Sequence, residues 1–149
     1  MKLASNNFKN NDSIPHKFTC EGDNISPHLS WSEYPPETKS FAIVCHDPDA
    51  VGREFLHWII VNIQVSINEL AQGADVSKIG YEIENDFGYN KYGGPCPPSG
   101  IHRYIFSIYA LSIEELSNIT RENYKWHLQK YEVDYAKLIG FYTRKNQSH

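Results

Sequence analysis

The longest apolar runs read as strands. Residues 40–46, SFAIVCH, are β-branched, aromatic or small and stop just short of Pro48, which cannot donate to a continuing ladder. Residues 55–63, FLHWIIVNI, place Phe55, His57, Ile59, Val61 and Ile63 on one face under strict alternation, with Leu56, Trp58 and Ile60 on the other. Both faces are apolar, so this is expected to be a central strand covered on both sides. Residues 103–111, RYIFSIYAL, read the same way. Helical patterning comes late. SIEEL (112–116) reads as a single turn, and the Thr120 hydroxyl is placed to cap a helix beginning TRENYKWHLQKY. Tyr124, Leu128, Tyr131 and Tyr135 then share one stripe, the side expected to pack on a sheet. Gly140 ends that pattern, with a last short strand at FYTR (141–144). Strands first and helices last predict a β-rich α+β domain rather than an alternating parallel fold. No repeat or linker divides the chain, so one domain spans residues 1–149, with loose polar ends over the first dozen residues and over 145–149.

This pattern brings ionisable groups together. The first strand ends at Asp47, and the short link DPDAVGRE leads to a strand with His57 near its start. If the two are antiparallel neighbours, both groups lie at one end of the sheet. A strand starting at His102 adds a second imidazole to that rim if it runs parallel to the His57 strand. Alternation sets His102 and Tyr104 on one face with Phe106 and Ile108, and His57 above Ile59 and Val61. One carboxylate, two imidazoles and a phenol over an apolar floor make a small polar cup, a usual form for a small-ligand site. His46 falls on the face opposite Asp47, where neighbouring backbone is expected to satisfy it. Trp31, Trp58 and Trp126 read as core or interface residues.

Composition narrows the function classes. The chain has 149 residues and a net charge of −4, with no window dominated by Lys or Arg. A nucleic-acid footprint is therefore not expected, and anionic membrane would not attract it. No stretch approaches the ~18 apolar residues of a membrane span, and the N-terminus has no hydrophobic signal core. Cys20, Cys45 and Cys96 cannot all pair within one chain; one disulfide is possible, but nothing in the sequence points to a secretory context, and they are read as three reduced thiols in a cytoplasmic protein.

The segments CHDPDA (45–50), HWIIVNI (57–63), FGYNKYGGPCPPSGIHRYIFSIYAL (87–111) and LIGFYTR (138–144) resemble the phosphatidylethanolamine-binding protein family. FTCEGDNISPHLSW (18–31) is similar to the N-terminal signature of its bacterial Raf-kinase-inhibitor-like branch. The resemblance implies a large antiparallel sheet flanked by a smaller one, short peripheral helices, a homodimer and an anion pocket near the surface. Carried over by position, the pocket contributors are Asp47, His57 and His102, with Tyr104 and the Gly94–Pro95 backbone completing the wall. Glycines let the backbone approach a ligand, prolines hold the loop in one shape, and free N–H groups face an anion. The branch also implies a Gly-His pair shortly before the LIG segment, where this chain reads Lys130-Tyr131, and a C-terminal helix bordering the pocket.

The same residues admit three functions: a non-enzymatic site for phosphate-like or carboxylate anions, an enzyme with Cys96 as an imidazole-activated nucleophile, or a metal site built from Asp47, His57 and His102. The resemblance favours the first, with no catalytic residue, no metal and no cofactor, and with a possible regulatory protein contact.

Overall fold

The computed structural model describes residues 1–144. Its nine strands and one α-helix are β1 (Lys2–Ala4), β2 (Asp12–Ser13), β3 (Leu29–Ser32), β4 (Ser40–Asp47), β5 (Phe55–Gln64), β6 (Glu69–Leu70), β7 (Tyr81–Glu82), β8 (His102–Leu111), α1 (Tyr124–Tyr131) and β9 (Glu132–Tyr142). A single 3-10 turn covers His16–Phe18. Six strands form one sheet in the order β2-β9-β8-β4-β5-β7, antiparallel except for the β2–β9 pair. A smaller antiparallel sheet has the order β1-β3-β6. Because β4 is antiparallel to both β5 and β8, those two run parallel to each other, the orientation the polar cup requires.

Two apolar layers cover the large sheet. Phe41, Ile43, Cys45, Trp58, Ile60, Tyr104, Phe106 and Ile108 pack towards the small sheet, meeting Leu3, Leu29, Trp31 and Leu70. Ala42, Val44, Leu56, Ile59 and Val61 pack on the other side against Leu116, Ile119, Tyr124 and Leu128. Every residue of β4 up to Cys45 is buried, as expected for a strand apolar on both faces.

β5 does not alternate as a regular strand would. Cys45 pairs with Trp58 and His46 with Leu56, which leaves His57 as the extra residue of a β-bulge. A second irregularity lies at Asn62, whose φ is 59°. Asn62 accepts from the Leu116 amide at 2.7 Å and donates to its carbonyl at 3.1 Å. The two bulges exchange faces along the strand. His57 stands on the side of Trp58 and Ile60, while Ile59 and Val61 join Leu56 on the opposite side. The expected placement of His57 above Ile59 and Val61 is corrected accordingly.

Other expectations change as well. α1 ends at Tyr131, and Tyr135 belongs to β9, which pairs with β8 along its whole length. Gly140 is a strand residue, not a helix stop. A Cβ there would lie 2.4 Å from Ile14 Cγ1, so the N-terminal segment can pack only against a glycine. That segment is not loose, since Phe8 and Ile14 are buried and the Asn11 amide donates to the Ile139 carbonyl at 2.7 Å. Residues 112–116 form no helical turn. Residues 145–149, expected to be loose, lie outside the described residues.

The three thiols are also corrected. Cys20 and Cys96 form a disulfide with Cα atoms 5.4 Å apart, and Cys45 alone is a free, buried thiol. The bridge closes a loop of sequence separation 76 and clamps the Gly/Pro loop to the segment after the 3-10 turn. On the chain-entropy model such a cross-link contributes about 4 kcal/mol by restricting the unfolded chain. A Cys20→Ser/Cys96→Ser variant should lower the urea midpoint by a corresponding amount. An unchanged midpoint would mean that other contacts hold the loop.

Candidate functional site

Three strand ends and the Gly/Pro loop enclose a surface cavity of about 270 Å³. Asp47 ends β4, His57 is the bulge residue of β5, and His102 and Tyr104 begin β8; all four side chains line the cavity. Apolar walls come from Ala50 and Val51 of the β4–β5 link, from Phe55 and Phe87, and from Pro97 and Pro98 beside Cys96.

Asp47 is 3 % exposed and uses both oxygens. Oδ1 accepts from the Asp49 amide at 2.7 Å and closes the turn after Pro48. Oδ2 lies 2.6 Å from His102 Nδ1. An ionised Asp47 can only accept, so His102 carries a proton on Nδ1 and directs Nε2 elsewhere. The following turn is held by Asp49, whose carboxylate receives Arg103 Nε and Nη2 at 3.0 and 2.9 Å and the Arg103 amide at 2.8 Å. Arg103 lowers the Asp49 carboxyl to about 2.

His57 is fixed differently. Its Nδ1 donates to the Gly93 carbonyl at 2.7 Å, and the Gly93 amide returns a bond to the His57 carbonyl at 3.2 Å. The ring sits among Phe55, Phe87 and Tyr104, with centroids 5.0, 5.2 and 5.2 Å away. Burial pushes its pKa down to about 4, against weaker upward effects from the Gly93 backbone and Asp47. The imidazole is therefore neutral near pH 7, with Nδ1 protonated and Nε2 a lone-pair acceptor. The Tyr104 hydroxyl is buried near Asp47 and the Cys96 amide without a hydrogen bond of good geometry among the described residues. Burial, then the Asp47 charge, pushes its pKa up, so it stays a neutral phenol.

The loop residues do not act as the sequence suggested. Gly94 and Pro95 are not on the cavity wall. The Gly94 amide donates to Asn24 Oδ1 at 2.8 Å, and the Pro95 carbonyl accepts from the Cys20 amide at 3.1 Å. A Cβ on Gly94 would lie 2.2 Å from the Phe18 carbonyl oxygen. The glycine thus permits close approach of protein backbone, not of ligand, and its N–H is not free for an anion. Cys96 is bridged to Cys20 and offers no thiolate, which removes the nucleophile reading. Among the described residues no three His, Cys, Asp or Glu side chains are grouped to hold a metal ion. His46 faces the other side of the sheet and lies 3.9 Å from Glu54 rather than being satisfied by backbone. α1, with Lys130-Tyr131 at its end, also lies on that other side and does not border the cavity.

Sequence reasoning missed Phe87 and the residue that positions it. Asn85 is fully buried; its Nδ2 donates to the His57 and Lys91 carbonyls at 2.9 and 2.8 Å, and its Oδ1 accepts from the Phe87 and Tyr89 amides at 3.0 and 3.3 Å. One side chain thus ties the 85–91 loop to the bulge. An asparagine amid loop residues carries no distinguishing periodicity.

His57 has a pH consequence. Its folded pKa lies below its ordinary value near 6.5, so the unfolded chain binds the extra proton first. The stabilising effect of a neutral His57 is full above pH 6.5 and is lost as pH falls towards 4, on the order of 3 kcal/mol across the window. His57→Gln, which keeps a donor for Gly93, should flatten the stability slope between pH 6.5 and 4 in urea titrations. Parallel slopes for the two proteins would dismiss the assignment.

Residues 4–143 match the family model described as phosphatidylethanolamine-binding protein. A UPF0098 protein of Aquifex aeolicus is 40% identical over 97% of this chain and 89% of its own. The Escherichia coli UPF0098 protein YbhB is 41% identical over 78% of this chain and 81% of its own. The crystal structure of Escherichia coli YbcL, a member of the mammalian PEBP family, superposes with a TM-score of 0.90 at 33% identity, covering 97% of this chain and 98% of that one. With the two-sheet fold, these similarities show that the chain belongs to the phosphatidylethanolamine-binding protein family.

Proposed function

We propose that the cavity binds small oxyanions, phosphate-like ones first, and that the protein acts by binding rather than catalysis. The observation that carries this reading is that both imidazoles commit Nδ1 to a protein acceptor and leave Nε2 for a ligand. His57 offers an acceptor at Nε2 because Nδ1 is committed to Gly93. His102, with Nδ1 committed to Asp47, offers a donor at Nε2 when its ring is protonated. A ligand carrying both an anionic oxygen and an acidic O–H, such as a phosphate monoanion or a monoester, satisfies both. A simple carboxylate satisfies only the donor. The family's name points to phosphoethanolamine, which as the free monoester carries this O–H, whereas the lipid's phosphodiester offers only the anionic oxygens.

Titration calorimetry with phosphate, phosphoethanolamine and acetate at pH 6 and pH 8 tests the reading. Phosphate loses its acidic proton over this range, and with it the O–H that His57 Nε2 would accept. Binding should therefore be at least fivefold weaker at pH 8, with acetate weakest throughout, and absent in a His57→Ala/His102→Ala variant. Equal binding at both pH values, or retained affinity in the folded variant, would overturn it.

In this reading the site works in its disulfide-bonded form, which favours oxidising surroundings over the reducing cytoplasm expected from three free thiols. No helix among the described residues is long and apolar enough to cross a membrane. We also propose a homodimer with a regulatory protein contact. Val51 of the cavity wall and Ile101, which precedes His102 in the chain, are 86 % and 68 % exposed and supply apolar surface for such a contact. Light scattering should give twice the chain mass, and a monomer mass at micromolar concentration would reject the dimer.

A further inference from the structure

The Gly/Pro loop is fastened on two sides by different means. Towards the sheet, the Gly93 carbonyl accepts from His57 Nδ1 at 2.7 Å and the Gly93 amide donates to the His57 carbonyl at 3.2 Å. Towards the segment after the 3-10 turn, the Tyr92 hydroxyl donates to the Phe18 carbonyl at 2.7 Å and the Gly94 amide to Asn24 Oδ1 at 2.8 Å. The Pro95 carbonyl accepts from the Cys20 amide at 3.1 Å. Next comes a covalent tether, Cys96 to Cys20. Pro95, Pro97 and Pro98 have no amide proton, so Cys96 alone carries a backbone donor within 95–98. The bridge thus holds a stretch that can offer few hydrogen bonds of its own.

Its place in the chain links it to both imidazoles. Gly93, which fixes His57, lies three residues before Cys96, and His102 opens β8 six residues after it. Cys96, Pro97 and Pro98 also line the cavity. The loop is pressed between its neighbours: a Cβ on Gly93 would lie 2.4 Å from the Phe87 ring, and one on Gly94 2.2 Å from the Phe18 carbonyl oxygen. A shift of the loop therefore disturbs the Gly93 acceptor and the Phe87 wall together.

The bridge can be opened without dismantling the fold. Cys20 and Cys96 are half-buried, whereas the free thiol of Cys45 is fully buried. Residues 93–98 belong to no strand and to neither apolar layer. The pairing of β4, β5, β8 and β9 does not pass through them.

We propose that the Cys20–Cys96 bridge is a reversible redox switch for this cavity, opened by dithiol reductants and reclosed by disulfide oxidants. One thiolate of the reductant attacks a bridge sulfur and forms a mixed disulfide, and the other cysteine leaves as a thiolate. The second thiol of the reductant then attacks the mixed disulfide and departs as a cyclic disulfide. Two electrons pass to the protein, and Cys20 and Cys96 become two thiols. The loop is released, Gly93 no longer fixes His57 Nδ1, and the imidazole loses its single tautomer. The effect on ligand rests on the oxyanion reading, whereas the release of the loop does not. Where an oxyanion does bind, it favours the bridged form by the same factor that bridging favours the oxyanion.

The test compares ¹⁵N-labelled protein with the bridge closed and with the bridge opened by dithiothreitol at pH 8, both transferred without oxygen to pH 6. Strand amides of β4, β8 and β9 should keep their shifts in the reduced protein. Exchange of the Gly93 and Gly94 amides should be at least tenfold faster, and the His57 ring nitrogens should change from one tautomer to a mixture. Inorganic phosphate should bind at least fivefold more weakly, and oxidised glutathione should restore all three properties. A Cys20→Ser/Cys96→Ser variant should match the reduced protein and ignore dithiothreitol. The switch is overturned by unchanged Gly93 exchange and His57 tautomer, by loss of the strand shifts on reduction, by a dithiothreitol response in the variant, or by equal phosphate affinity in both states. Absence of phosphate binding to the bridged protein would reject the oxyanion reading instead, and the exchange and tautomer results would still decide the switch.

Discussion

The fold depends on β4 being covered on both sides. Its apolar residues alternate between two layers, Phe41, Ile43 and Cys45 on one face and Ala42 and Val44 on the other. Such a strand cannot sit at an edge or face water, so β5 and β8 must flank it and both faces must be roofed. The small sheet roofs one face, and α1 with residues 116–119 roofs the other. Antiparallel pairing on both sides then brings the start of β5 and the start of β8 to the end of β4. The gathering of Asp47, His57 and His102 follows from burying one strand.

Asp47 and His57 are tolerated at that end because each has a defined partner. A buried carboxylate is costly unless paired and hydrogen-bonded. Asp47 meets that condition with His102 on one oxygen and the Asp49 amide on the other. Removing His102 alone would leave a buried carboxylate short of a donor, whereas removing both would leave a space. His57 meets it by surrendering charge: its donor is spent on Gly93 and its ring stays neutral among aromatic walls. The disulfide and the Asn24–Gly94 bond then hold the loop that supplies Gly93.

The parts of this architecture legible in the sequence are those set by unbroken periodicity. β4 and β8 were placed within a residue or two, and so was the shared face of His102, Tyr104, Phe106 and Ile108. β5 was located but its faces were not, because a bulge leaves no mark in composition. Only the register against β4 shows that His57 is an inserted residue. β9 was misread because Tyr124, Leu128, Tyr131 and Tyr135 keep a helical spacing past the point where pairing with β8 takes over. Its Asp, Ala and Lys positions have weak strand preference, so tertiary pairing overrides local signal. The Cys20–Cys96 bridge joins residues far apart in sequence, and three cysteines give no rule for choosing a pair.

The bulge at His57 also decides the chemistry of the cavity. In a regular ladder, residue 57 would point to the face opposite Trp58, towards α1, and the Asp47–His102 pair would stand alone. The extra residue turns the imidazole to the Trp58 side and brings Nδ1 onto the Gly93 carbonyl. That bond selects the tautomer, and burial keeps the ring neutral. The inserted residue thereby sets a neutral imidazole, with an acceptor at Nε2, beside the Asp47–His102 pair. The chemical character of this cavity therefore traces to a backbone irregularity rather than to the number of histidines.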